Sequence, residues 1–126
     1  MSNIKESGFK TSEVLSALST VFEQMSEAEK KKQIKTTNGI FQLNVKNGQG
    51  KEAIWVIDLK NEGNVTKGAA KKPDVTITLS DDTFLGLADG KVNAQKAFMT
   101  GSLKVKGNVM LATKLDGVLK SAKAKL

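Results

Sequence analysis

The sequence predicts an α+β domain with one sheet, because helical and strand-like patterns follow each other along a chain of 126 residues. Apolar residues recur every three or four positions near both ends of the chain, whereas they alternate with polar residues in the middle. A chain of this length normally forms one domain that buries about two thirds of its unfolded surface. We therefore expect residues 1–126 to fold as a single domain.

Two helices are predicted before the first strand. The first covers about residues 13–25, where the apolar side chains share one face and where Thr11 and Ser12 are candidate N-caps. The second is short and begins with a capping-box pattern, in which Glu29 follows Ser26 by three residues. Both helices precede the change to a two-residue period.

A β-hairpin is predicted next. Residues 40–46 and 53–59 have strand character, and the turn-forming residues 47–50 join them. The second strand is apolar on both faces, which is typical of a strand inside a sheet rather than at its edge. A short third strand is expected around Val65, and a fourth at residues 75–79, where apolar and polar side chains alternate.

The last third of the chain returns to helices. Residues 80–82 and Asn93 are candidate N-caps of two short helices that Gly90 and Gly101 terminate. A fifth strand at residues 103–105 precedes a final helix that begins at Asn108. Gly117 lies inside that helix and weakens it by about 1 kcal/mol relative to alanine.

The composition excludes most enzyme classes. All 20 basic residues are lysines, 13 residues are acidic, and the chain contains no His, Cys, Tyr or Arg. Imidazole bases, thiolate nucleophiles, disulfides and Cys/His metal sites are therefore unavailable. No Ser-x-x-Lys or Gly-x-Ser-x-Gly motif offers an alternative nucleophile. We expect no enzyme activity, no catalytic residue, no metal and no cofactor.

Two patterns suggest chemistry but have simpler interpretations. Asp81 and Asp82 could form a hydrolytic pair or a Mg²⁺ site, yet they stand where a helix begins and fit capping and dipole compensation better. The net charge of +7 suggests that the protein could bind nucleic acid. However, Arg is absent and the aromatic residues fall in apolar patterns away from the lysine clusters at 30–32 and 71–72, so a solvated surface is favoured.

The run from Gly101 to Asn108, followed by Leu111-Ala112 and Lys114-Leu115, resembles the signature end of the sterol carrier protein type 2 family, also called non-specific lipid-transfer proteins. Residues 82–98 and 53–59 resemble the same family, so the similarity covers nearly the whole chain. Ala94 departs from the family pattern, since proline is common there, and Met99 stands where a second aromatic residue often follows Phe98.

The resemblance implies a five-stranded, mostly antiparallel sheet with helices on one face, enclosing a hydrophobic tunnel for fatty acids, fatty acyl-CoA and, in some members, sterols or phospholipids. Gln95 is a candidate for anchoring the head group of the lipid. An equally favoured interpretation is that its side chain is simply exposed to solvent. The implied lining is drawn from Phe22, Trp55, Ile77, Leu79, Phe84, Phe98, Met99, Met110, Leu111, Leu115 and Leu119. Methionines suit an adaptable cavity, because they repack around ligands of different shape.

The last three residues, Ala124, Lys125 and Leu126, are a variant of the Ser-Lys-Leu peroxisomal address, which an import receptor reads. No apolar run is long enough to span a bilayer and no secretory leader is recognisable, so we expect a peroxisomal protein that meets anionic membranes only transiently. The alternatives are a non-catalytic accessory or protein-interaction domain with the same fold and a weak nucleic-acid binder.

Overall fold

The computed structural model describes Glu6 and residues 8–124, apart from the side chains of Asp116, Lys120 and residues 121–124. Within this part of the chain five helices and five strands follow one another as predicted. In chain order they are α1 (Lys10–Gln24), α2 (Glu27–Thr37), β1 (Gly39–Lys46), β2 (Glu52–Leu59), β3 (Asn64–Lys67), β4 (Val75–Ser80), α3 (Asp81–Asp89), α4 (Ala94–Thr100), β5 (Leu103–Gly107) and α5 (Val109–Ala124).

The strands form one sheet in the order β3-β2-β1-β4-β5. Three of the four pairings are antiparallel, and the parallel pairing of β1 with β4 is the exception. The prediction of a mostly antiparallel five-stranded sheet is therefore confirmed. β2 lies between β3 and β1, which confirms that the strand with two apolar faces is an interior one.

One face of the sheet carries the hydrophobic core. Along β1 the side chains of Phe41, Leu43 and Val45 are buried, whereas Gln42 and Asn44 on the opposite face are partly exposed. The helices cover the buried face: α1 contacts α3 and α5, α3 contacts α5, and α4 packs against both α5 and β5. The result is a two-layer domain with its apolar interior between sheet and helices.

α1 begins earlier than its sequence predicts. Thr11 and Ser12 are not N-caps but lie in the first turn of a helix that starts at Lys10, and both are buried. The residue at the cap position, Phe9, has no side-chain acceptor to offer. The N–H groups of this first turn have no acceptor within the helix and donate instead to the carboxylate of Asp81.

The other helix boundaries follow local sequence signals. The predicted capping box of α2 is present, since the Ser26 hydroxyl accepts from the backbone of Glu29 and the Glu29 carboxylate accepts from the backbone of Ser26. Ser80 and Asn93 cap α3 and α4 more simply, since their side chains accept from backbone N–H groups of the first turn. Asn108 accepts from the backbone N–H of Leu111 at 3.1 Å at the start of α5.

No helix among the described residues is long and apolar enough to cross a membrane.

Candidate functional site

The interior between sheet and helices is the main candidate site, and it gathers most of the predicted lining residues. Eight of them belong to the buried hydrophobic cluster, and none exposes more than 4% of its surface. They come from α1, β2, β4, α3 and α5. They are Phe22, Trp55, Ile77, Leu79, Phe84, Leu111, Leu115 and Leu119.

α5 contributes three of these side chains because of its period. Leu111, Leu115 and Leu119 recur every four residues and therefore share the face that the helix turns toward the sheet. Leu111 lies directly over Gly39 at the start of β1, where a Cβ atom would stand 2.2 Å from a Leu111 methyl group. The absence of a side chain at Gly39 lets α5 approach the sheet.

β2 places the one tryptophan at the centre of the interior. Trp55 is completely buried, and its ring meets that of Phe9 edge to face, with 5.6 Å between the ring centroids and 78° between the ring planes. Phe9 precedes α1 and was not predicted as a lining residue, because it stands outside the helical pattern. Its neighbour Gly8 is held by the Asn47 amide, which donates to the Gly8 carbonyl at 3.2 Å.

Four predicted site residues lie at the surface. Met99 and Met110 each expose 78% of their surface and Phe98 exposes 40%, so the structure does not bring these three predicted lining residues into the buried interior. Gln95 is exposed as well. The reason is visible on α4, whose buried side consists of Ala94 and Ala97. Two small residues let the helix pack closely on β5 and α5 and leave its larger apolar side chains outside.

Other fully buried residues share the interior and were not among the predicted lining residues. They belong to the same helical and alternating patterns that located the elements. The largest of these missed residues are Leu15, Leu18, Phe41, Leu43, Ile57, Leu59, Leu87 and Leu103. Periodicity identified their faces but gave no means of choosing among them.

A depression of about 430 Å³ lies at the end of the parallel strand pair where β1 and β4 finish. Apart from two glycines its lining residues are polar or charged, and they include Lys10, Lys46, Asn47, Asp81 and Asp82. Asp81 is buried and its carboxylate accepts from two backbone N–H groups of α1, so it serves as a helix cap. No group of three or more potential metal-ligating residues occurs among the described residues.

Charged side chains lie on the surface of the described structure, apart from Asp81. The best-connected cluster centres on Glu6, whose carboxylate pairs with Lys67 and, at 3.1 Å, with Lys51. The hydrogen bond from Lys67, followed by that from Lys51, holds the pKa of the Glu6 carboxyl below its ordinary value of 4.5. These lysines lie on β3 and just before β2, so the cluster ties the segment before α1 to the sheet.

The predicted targeting residues fall at the limit of the description. The backbone of Ala124 ends α5, whereas Lys125 and Leu126 lie outside the described residues.

Comparison with known proteins identifies the class to which this fold and interior belong. Residues 18–120 match the model of the SCP-2 sterol transfer family. The chain is 45% identical to a fatty acid-binding protein of Yarrowia lipolytica, with 98% of this chain and 99% of the relative aligned. It is 42% identical to the oleate-induced peroxisomal protein POX18 of Candida maltosa, with 94% and 93% aligned.

The same class appears among solved structures. The apo form of sterol carrier protein 2 from Yarrowia lipolytica superposes with a TM-score of 0.88 at 45% identity, covering 96% of this chain and 98% of that one. This five-stranded α+β domain, with its apolar interior between two layers, is thus a sterol-carrier type of domain. The chain belongs to the SCP-2 sterol transfer family.

Proposed function

We propose that this protein binds fatty acids and fatty acyl chains in the interior between sheet and helices and transfers them between sites in the cell. The observation that carries the proposal is the family match over residues 18–120, together with near full-length similarity to a fatty acid-binding protein. The proposed lining is the set of eight buried residues named above, which excludes Gln95, Phe98, Met99 and Met110. The hydrophobic tunnel itself remains a prediction of the family resemblance.

The energetics of such a site suit a carrier. Burying a chain of about 16 carbons releases about 12 kcal/mol at about 0.8 kcal/mol per methylene. Association costs of at least about 4 kcal/mol leave at most about 8 kcal/mol, which corresponds to a dissociation constant of about 1 μM or weaker. Burial alone therefore supplies enough affinity, and the ligand can still dissociate in time to be delivered.

The proposal includes no catalytic step. The Yarrowia lipolytica relative is named for fatty acid binding, and the Candida maltosa relative is named for its induction by oleate and its peroxisomal location. Asp81, the one buried carboxylate among the described residues, is occupied in holding α1. Transfer of a bound lipid changes its environment and breaks no covalent bond, so the missing imidazole, thiol and phenol groups are no handicap.

We also place the protein in the peroxisome. The support is the peroxisomal name of the Candida maltosa relative and the ending Ala124-Lys125-Leu126. An import receptor that reads a C-terminal tripeptide would be the partner for this step. Expressing the chain with an N-terminal fluorescent tag in yeast tests the assignment: the intact chain should colocalise with a peroxisomal marker, and deletion of Leu126 should leave it in the cytosol.

Lipid binding is tested with the purified protein and a naturally fluorescent fatty acid, cis-parinaric acid. We expect saturable uptake of about one equivalent and displacement by oleate, and native mass spectrometry should show the corresponding increase in mass. Nonsaturable uptake, or uptake that oleate does not displace, would contradict a defined interior site. Lysozyme, which is also small and basic, serves as the control for nonspecific adsorption.

A further inference from the structure

One residue of the buried hydrophobic cluster differs from the rest in its backbone. Among the described residues of that cluster, Phe9 alone lies outside the helices and strands. It exposes 4% of its surface and its ring meets that of Trp55, so it belongs to the apolar interior. The other cluster residues are held by the regular hydrogen bonds of their helices and strands. At Phe9, therefore, a turn forms the wall of the interior.

Phe9 also separates the interior from the polar depression at the ends of β1 and β4. Its neighbours on either side, Gly8 and Lys10, line that depression, whereas its ring contacts Trp55 on β2. The same short stretch of backbone thus has the polar space on one side and the apolar interior on the other. The ring of Phe9 closes the boundary between them.

On the helix side, the turn that carries Phe9 is firmly held. The Ser12 hydroxyl donates to the Phe9 carbonyl at 2.8 Å in a buried position. The first turn of α1 is itself fixed to α3, because Asp81 accepts from the backbone N–H groups of Lys10 and Thr11. α1 therefore has an anchor that does not depend on the contact between Phe9 and the sheet.

On the sheet side, the polar contacts of the same turn lie at the surface. The Glu6 carboxylate pairs with Lys51 and Lys67, and all three side chains are partly exposed. The Asn47 amide donates to the Gly8 carbonyl at 3.2 Å, also in an exposed position. Exposed ion pairs contribute little to stability and are screened by salt. These contacts between the turn and the sheet therefore break at small cost.

We propose that the acyl chain of a fatty acid enters and leaves the interior at Phe9, whose ring moves away from Trp55 when the turn parts from the sheet. The inference rests on the proposed function, because it assigns the entrance to the interior in which we place the chain. The polar depression lets the carboxylate of the ligand stay in a polar, solvated place while its chain passes. Asp81 keeps α1 in position during this movement. Phe9 is thus a gate, which completes the core when closed.

Two other boundaries of the interior are less suited to opening. α5 lies so close to β1 that a Cβ atom at Gly39 would stand 2.2 Å from a Leu111 methyl group. α4 packs on β5 and α5 with Ala94 and Ala97 on its buried side, and such small residues allow a close approach. Parting either helix from its neighbours would separate several buried side chains at once, whereas opening at Phe9 displaces one ring.

The experiment locks the turn to the sheet. Because the chain has no cysteine, the variant E6C/K67C can be joined specifically by a short bis-maleimide reagent across the positions of the ion pair. The matched control is T36C/K114C, which joins α2 to α5 where the Lys114 ammonium donates to the Thr36 carbonyl. The four replaced side chains are all at least partly exposed, so the reagent can reach them.

Release of cis-parinaric acid is followed by stopped flow after the loaded protein is mixed with excess oleate. E6C/K67C should release the ligand at least about tenfold more slowly after cross-linking than before, because the gate cannot open. Cross-linking of T36C/K114C should change its release rate by about twofold at most. Phe9→Ala should release the ligand about tenfold faster than the wild type, because no ring has to leave Trp55. The cross-linked pair decides the question even if Phe9→Ala does not fold.

The amount of ligand bound at equilibrium separates this inference from the proposed function. Both cross-linked proteins should eventually take up as much cis-parinaric acid as the wild type, because their proposed lining is unchanged. Normal uptake combined with release that the E6C/K67C cross-link does not slow, or that the control cross-link slows equally, would overturn the gate and leave the proposed function standing. Absence of saturable uptake in every form, the wild type included, would contradict both.

Discussion

The carboxylate of Asp81 accepts two hydrogen bonds from Thr11, one from the backbone N–H at 2.7 Å and one from the hydroxyl at 2.5 Å. Its second oxygen accepts from the backbone N–H of Lys10 at 3.0 Å. Asp81 is the first residue of α3, so the beginning of one helix caps the beginning of another 70 residues away. This contact fixes α1 over the interior that we assign to the lipid.

Replacing Asp81 with alanine should destabilise the protein by about 3 kcal/mol. The substitution leaves the N–H and hydroxyl of Thr11 buried without their acceptor and removes the cap of α1. Urea denaturation followed by circular dichroism measures the change. Asp82→Ala is the control, because Asp82 is exposed in the same turn, and its cost should be about 0.5 kcal/mol at most. Equal costs for the two variants would show that the contact with α1 is unimportant.

The contact between Asp81 and α1 also shows which helix boundaries can be predicted from nearby residues and which cannot. The capping box of α2, the side-chain N-caps of α3 and α4 and the glycines that end α3 and α4 depend on residues within three or four positions, and the sequence predicted them correctly. The start of α1 was predicted three residues late because its acceptor comes from Asp81, which local sequence does not connect to Lys10 or Thr11. Only the tertiary fold brings the two segments together.

The candidate site was predictable to a similar extent. Alternation and helical period located the buried faces of β2, β4 and α5, and the residues named there are buried. α4 misled the interpretation because a helix of seven residues can bury only one narrow side. Its alanines take that side, since close packing against β5 and α5 favours small residues over Phe98 and Met99.

Two glycine substitutions should have opposite effects on stability. Gly39→Ala should cost about 2 kcal/mol, because its Cβ would overlap Leu111 and push α5 away from the sheet. Gly117→Ala should stabilise the protein by about 0.5 to 1 kcal/mol, because it lies in α5 and its Cβ meets no described atom within 4 Å. Thermal or urea denaturation distinguishes the two. A stabilising Gly39→Ala would contradict the close approach of α5.

The ion-pair cluster around Glu6 should make a small, pH-dependent contribution to stability. Because Lys67 and Lys51 lower the pKa of the folded Glu6 carboxyl below 4.5, the contribution is present above that pH and is lost as the pH falls through the lower folded value. Glu6→Gln should therefore unfold at a lower urea concentration than the wild type at neutral pH. The difference should disappear under acid conditions.

The control for this prediction is Glu23→Gln, which removes a carboxylate from the exposed side of α1. Its effect on the urea midpoint should be smaller at neutral pH. High salt should also shrink the effect of Glu6→Gln, because the cluster is partly exposed and is screened. A Glu6→Gln difference that persists in acid would mean that the ion pairs are not its cause.

Trp55 permits the most direct test of the central claim that the acyl chain lies between sheet and helices. It is the single tryptophan, the chain has no tyrosine, and the ring is completely buried in the proposed lining. Titration with cis-parinaric acid should therefore quench the Trp55 emission by energy transfer, saturate at about one equivalent and reverse on addition of oleate. Saturable uptake that leaves the emission of Trp55 unchanged would place the ligand outside this interior and contradict the account.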